Sequence, residues 1–128
     1  MLALTLSAWQ GTNLPTVTGE TYRYALDVVG HPEQHVRLSA QGVPPGWIAA
    51  FCTPTMCAPM QVRFTLSADG RRRFEFGLIR ESGSVPPTMR ITIRSGDGAD
   101  QLEAAREAVI QPNFPGCETR SVVESYTE

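Results

Sequence analysis

Lysine is absent from this chain of 128 residues, and all 11 basic side chains are arginine. That bias looks like GC-rich coding and carries no mechanistic weight. Apolar runs are short, far below the roughly 20 residues that cross a bilayer as a helix. Charge of one sign is never gathered into a block: net charge is −2, and the two signs alternate along the sequence, which argues against nucleic acid as the main partner. Arg71-Arg72-Arg73 is the exception, and it reads as the solvated beginning of a strand before it reads as an anion-binding patch. Histidine is scarce. His31 and His35 are the two in the chain, and Pro32 between them disfavours the helix that would put both on one face. A zinc site would need more than these two and Glu33. Nucleophile-elbow contexts are missing around Ser39, Ser67 and Ser84, the carboxylates are scattered over turns and outward strand positions, and no glycine loop precedes a helix. The chain therefore reads as non-enzymatic, with no catalytic residue and no cofactor. Internal repeats and low-complexity segments are also lacking, and no standard signal peptide is visible, since Met1 to Trp9 has no basic leader region and alternates too strictly.

What the chain has is a period of two. Leu2, Leu4 and Leu6 alternate with smaller or polar neighbours, as do Tyr22, Tyr24, Leu26 and Val28, then Val36, Leu38 and Ala40, then Trp47, Ala49 and Phe51. Val62, Phe64 and Leu66 follow, then Phe74, Phe76 and Leu78, then Met89, Ile91 and Ile93. Each run fits a strand with one buried face. Turn residues fall between the runs, at Gly30-His31-Pro32, Gly42 to Gly46, Asp69-Gly70 and Ser82 to Pro87. About seven strands so separated predict an antiparallel β-sandwich with Tyr24, Leu26, Trp47, Phe64, Phe76 and Ile91 in its core. Asp69-Gly70 predicts a hairpin between the run ending at Leu66 and the run beginning near Arg73. Trp9 breaks the even-numbered pattern of the first strand, so it either caps the core or stands exposed.

Beyond Gly98 the character changes. Leu102, Ala105 or Arg106, and Val109 recur at helical spacing within 99–110, which predicts a short helix, although Ala108-Val109-Ile110 also suits the end of a strand. Pro112, Pro115 and Gly116 then break regular structure. The expected division is a sandwich over 1–98 and a C-terminal segment and docking tail over 99–128. In that tail Phe114, Val122 and Val123 are the largest apolar groups and the candidate anchors on another chain.

Cys52 and Cys57 bracket four residues, Thr53-Pro54-Thr55-Met56. A disulfide here would close a small loop and contribute about 2 kcal/mol on chain-entropy grounds. A soft-metal reading takes Cys52, Met56, Cys57 and Met60 as thiolate and thioether ligands for Cu(I). A redox reading is weaker, because the spacing is not that of a two-residue redox motif and no helix follows. Cys117 has no close partner in sequence. A bonded pair fits an oxidising, extracytoplasmic compartment.

The run Tyr22-Arg23-Tyr24-Ala25-Leu26-Asp27-Val28-Val29, then Val36-Arg37-Leu38-Ser39, then Val43-Pro44-Pro45-Gly46-Trp47 resembles the bacterial NEW3 or fibronectin-III-like sandwich domains. In these a turn of the Leu-Pro-Pro-Gly-Trp type precedes a strand. The resemblance covers about residues 2 to 95 and implies an immunoglobulin-like fold. Such modules are accessory parts of secreted and envelope proteins, so the implied role is a non-catalytic periplasmic or secreted module that mediates protein association, as an accessory subunit of an envelope complex. Two other roles stand beside it. A periplasmic copper-binding protein would use the Cys/Met cluster, and a carbohydrate-binding module would need an exposed aromatic platform among Trp9, Trp47 and the tyrosines.

Overall fold

The computed structural model describes residues 2–10, 15–18, 20–96, 104–111 and 120–127. They form eleven strands: β1 (Ala3–Ala8), β2 (Thr16–Thr18), β3 (Thr21–Val29), β4 (His35–Gln41), β5 (Trp47–Cys52), β6 (Cys57–Pro59), β7 (Gln61–Thr65), β8 (Arg71–Arg80), β9 (Met89–Gly96), β10 (Ala104–Gln111) and β11 (Arg120–Thr127). The first sheet runs β1-β3-β8-β5-β6, with β2 also paired to β3, and the second runs β11-β10-β9-β4-β7. Every pairing is antiparallel. No helix occurs among the described residues.

The alternation seen in the sequence is what builds the sandwich. Even-numbered side chains of β1, β3 and β8, odd-numbered ones of β5 and β9, and even-numbered ones of β4 all meet in one cluster that includes Leu4, Tyr24, Phe76, Phe51, Ile91 and Leu38. Two inner faces of two sheets thus share a single core, and each fully buried large side chain contributes about 1.5–3 kcal/mol by leaving water. Rings interlock at its centre: Phe51 lies 5.2 Å from Phe76 and 6.4 Å from Phe74, centroid to centroid. Of the residues expected inside, Tyr24, Leu26, Trp47, Phe76 and Ile91 are buried. Phe64 is half-buried, because it sits on edge strand β7 and is flanked by the Arg72 guanidinium at 5.8 Å.

The proline turn delivers Trp47 as its chemistry requires. Gly46 has φ +84, and a Cβ there would stand 2.3 Å from the Ser82 carbonyl oxygen. Its own carbonyl accepts the N–H groups of Glu81 and Ser82 at 2.9 and 3.0 Å. The tryptophan beyond it is buried, 5.9 Å from Tyr22, with its ring N–H directed at the Ser84 carbonyl at 3.3 Å.

Three expectations are corrected. The helix predicted within 99–110 is strand β10, which pairs with β9 from Ala104↔Ser95 to Ile110↔Met89. Tertiary pairing overrides helical propensity here, because Ala108 and Ile110 complete the core at strand spacing. The sheet then continues, with β11 paired along β10 from Gln111↔Arg120 to Ala104↔Thr127, where an extended tail is expected. Finally, Asp69-Gly70 does not close a hairpin. Gly70 donates to the Ser67 carbonyl at 2.9 Å, as a tight turn should, but β7 goes to the second sheet and β8 to the first. The turn is pinned to the neighbouring loop, where Gly30 donates to the Gly70 carbonyl at 2.8 Å.

Candidate functional site

The densest unusual chemistry lies at one end of the first sheet. β5 and β6 form a hairpin in which Cys52 and Cys57 are direct cross-strand partners, joined by a disulfide with Cα atoms 4.0 Å apart. The next pair inward to the turn, Thr53 and Met56, is held by the Thr53 N–H donating to the Met56 carbonyl at 2.7 Å. Pro54 and Thr55 make the tip. With both sulfurs in a disulfide, neither is a thiolate, so the four-sulfur Cu(I) set is not assembled in this state. No group of three or more His, Cys, Asp or Glu side chains that could hold a metal ion occurs among the described residues.

Met60 links this hairpin to both sheets. Its N–H donates to Ala49 on β5 at 2.7 Å, and its carbonyl accepts from Ala40 on β4 at 2.9 Å. The chain crosses from β6 to β7 here with φ +67 at Met60, a left-handed conformation that costs a non-glycine residue about 1–2 kcal/mol. The side chain nonetheless stands 40% exposed, and Met56 at the hairpin tip is 48% exposed.

Trp9, just after β1, points to the outer side and is 39% exposed. With Cys52, Thr53, Pro54, Arg73 and Glu75 it lines a cleft of about 320 Å³. The floor is charged but balanced: Glu75 meets Arg23 at 3.5 Å, and Arg73 clamps Asp27 through two hydrogen bonds of 2.7 and 3.1 Å. That clamp holds the Arg73 guanidinium above its usual range, chiefly by hydrogen bonding and then by charge attraction. Farther along, Arg80 pairs with Glu20 and pulls its carboxyl below the ordinary value.

The other residues singled out by sequence fall apart in space. His35 bonds through Nδ1 to the Thr65 hydroxyl at 3.1 Å, and the His31 main chain donates to Gln34 at 3.0 Å. Arg71, Arg72 and Arg73 are all exposed. Tyr22, Tyr24 and Trp47 are buried, leaving Trp9 as the exposed ring among the described aromatic side chains. Val122 and Val123 lie on edge strand β11, opposite Val109 and Ala108. Phe114 and Cys117 lie outside the described residues. Sequence reading misses Met60's backbone strain, for which the sequence offers no signal.

Fold and site together define a two-sheet β-sandwich carrying a disulfide-closed, apolar hairpin. No protein-family model matches the chain, and no curated protein is significantly similar to it. Among solved structures, a FixG-related protein from Vibrio parahaemolyticus aligns over 99% of this chain and 95% of its own, at 7% identity and a TM-score of 0.46. A likeness of that size leaves the fold resting on the strands described above.

Proposed function

We propose that this protein is a non-catalytic β-sandwich module of the immunoglobulin-like kind, working outside the cytoplasm as an association unit for another protein chain. One observation carries the reading. Trp9 and Met56 stand exposed beside a disulfide-rigidified hairpin, and Trp9 shares a cleft with Cys52 and Pro54. Exposed aromatic and methionine side chains on a rigid support are typical anchors of protein interfaces. Met60, at the crossing from β6 to β7, is likewise held exposed at a backbone cost. The disulfide supports the extracytoplasmic part. The NEW3-like resemblance supports the accessory role, and edge strand β11 with Val122 and Val123 is a second place where a partner would add. The carbohydrate reading is less favoured, since one exposed described ring makes no platform.

The test is co-isolation from the source cells using the full chain and a Trp9→Ser/Met56→Ser variant. A partner present in near-stoichiometric amount with the wild type should be lost with the variant, while the melting temperatures agree within a few degrees. Retention of the partner by the variant, or no stoichiometric partner at all, contradicts the reading.

A further inference from the structure

A strand at the end of a sheet carries unpaired main-chain N–H and C=O groups along one side, and folded proteins close or shorten such edges to keep other strands from adding. Among the described strands the two sheets end at β1, β6, β7 and β11. On β1 the Leu4 carbonyl is occupied by the Arg106 guanidinium at 2.8 and 3.1 Å. The edge of β6 is three residues long and ends in Pro59, which has no N–H to offer. β7 packs against β5 and β6.

β11 differs from all three. It runs for eight residues, Arg-Ser-Val-Val-Glu-Ser-Tyr-Thr, without a proline. On one side it pairs with β10, and on the other no described strand pairs with it. β1 approaches it from the other sheet without pairing. A long edge of this kind is a template for a further strand.

The register says which strand suits it. Glu124 is the direct cross-strand partner of Glu107, and like charges so opposed destabilise a sheet. Glu107 is nearly buried and already paired with Arg90, with the Thr92 hydroxyl at 3.5 Å. A cation on the open side of position 124 would offset the opposition. β11 carries one itself, at Arg120. When β11 is set antiparallel to a second copy of itself, one register places Arg120 of each copy opposite Glu124 of the other, with Val122 opposite Val122 on the two-fold axis. The register of full overlap opposes Arg120 to Thr127 and forms no ion pair. A slip of one residue from full overlap, in the direction that removes Arg120 from the overlap, opposes Glu124 to Glu124.

We infer that β11 pairs antiparallel with β11 of a second copy of this chain, joining two second sheets into one continuous sheet through reciprocal Arg120–Glu124 pairs. The overlap in this register is residues 120–124 of each copy, so the interface is small and the dimer forms at high protein concentration. The inference does not rest on the Trp9 surface, so either can fail alone.

Sedimentation velocity of the full chain over a hundredfold range of concentration tests it. A reversible monomer–dimer equilibrium is expected. Arg120→Glu and Glu124→Arg should each weaken it at least tenfold, because two cross-strand pairs turn from attractive to repulsive. The double variant Arg120→Glu/Glu124→Arg should restore it to within about threefold of wild type. Trp9→Ser/Met56→Ser should dimerise as wild type does. Circular dichroism verifies the fold of each variant. In a Cys117→Ser background, Val122→Cys should give a covalent dimer under mild oxidation, since its two-fold mate stands directly opposite, and Tyr126→Cys should not. A wild type that stays monomeric throughout, single charge reversals that leave the dimer unchanged, a double variant no better than the singles, or equal crosslinking at positions 122 and 126 overturns the assignment.

Discussion

Arg106 reaches from β10 across the seam between the sheets and donates two hydrogen bonds, of 3.1 and 2.8 Å, to the main-chain carbonyl of Leu4 on β1. A strand at the edge of one sheet is thereby tied to a strand of the other, and β1 packs against β10. Burial lowers the guanidinium's proton affinity, yet it stays charged at any physiological pH. Hydrogen bonds to a charged donor are worth ~1.5–3 kcal/mol. Arg106→Met should cost about 2 kcal/mol in urea unfolding, with unchanged far-ultraviolet circular dichroism. A cost near zero would mean the seam is held by apolar packing alone.

Gly46 can be tested at the turn that aims Trp47. An alanine there meets the left-handed backbone cost of ~1–2 kcal/mol and a collision with the Ser82 carbonyl oxygen. Gly46→Ala should therefore lower stability by more than that backbone term alone and shift Trp47 fluorescence to the red as its pocket opens. Thermal unfolding with emission detection measures both.

Met60→Gly carries the opposite sign. Glycine accepts φ +67 without penalty, so relief of the backbone should outweigh the added freedom of the unfolded chain and stabilise by up to ~1 kcal/mol. A gain in melting temperature accompanied by weaker partner association would show that the exposed methionine serves the surface and not the fold.

Reduction of Cys52–Cys57, or Cys52→Ser/Cys57→Ser, should cost about 2 kcal/mol by loop entropy. The cost stays local because the hairpin is at the end of the first sheet and the core residues of β3, β4, β8 and β9 do not depend on it. Chemical denaturation with and without reductant is the measurement.

Asp69 gives a pH signature. The Ser67 hydroxyl bonds its carboxylate and, with the Arg71 main chain, holds its pKa below the ordinary 3.8. A depressed carboxyl stabilises the fold above the unfolded value, and that contribution disappears as pH falls through the folded one. Carboxyl carbon NMR should place the Asp69 midpoint below 3.8 in the wild type. In Ser67→Ala it should move back toward 3.8.

Much of the sandwich is legible in the sequence because its strands are long enough to repeat the alternation. Tyr22 to Val28 and Phe74 to Leu78 each show several inward positions in succession, and the structure buries those positions. β2 and β6, three residues each, are too short to alternate visibly. β10 defeats local reading because Ala, Arg and Glu favour a helix in isolation, while the partner strand that overrides them is paired from Ala104↔Ser95 to Ile110↔Met89, outside any single helical window. The Cys52–Cys57 pairing is legible from spacing. The strain at Met60 is not, since it depends on where the chain crosses between sheets.

The central claim is that the surface around Trp9 and the disulfide hairpin is where this module meets its partner. Residue-resolved photo-crosslinking in the source cells tests it most directly, with p-benzoylphenylalanine replacing Trp9, Met56 or, as a control, exposed Glu33 in the loop between β3 and β4. Positions 9 and 56 should give the same discrete adduct with one protein, and position 33 should give none. Adducts of equal yield from all three positions, or from position 33 alone, would contradict the account.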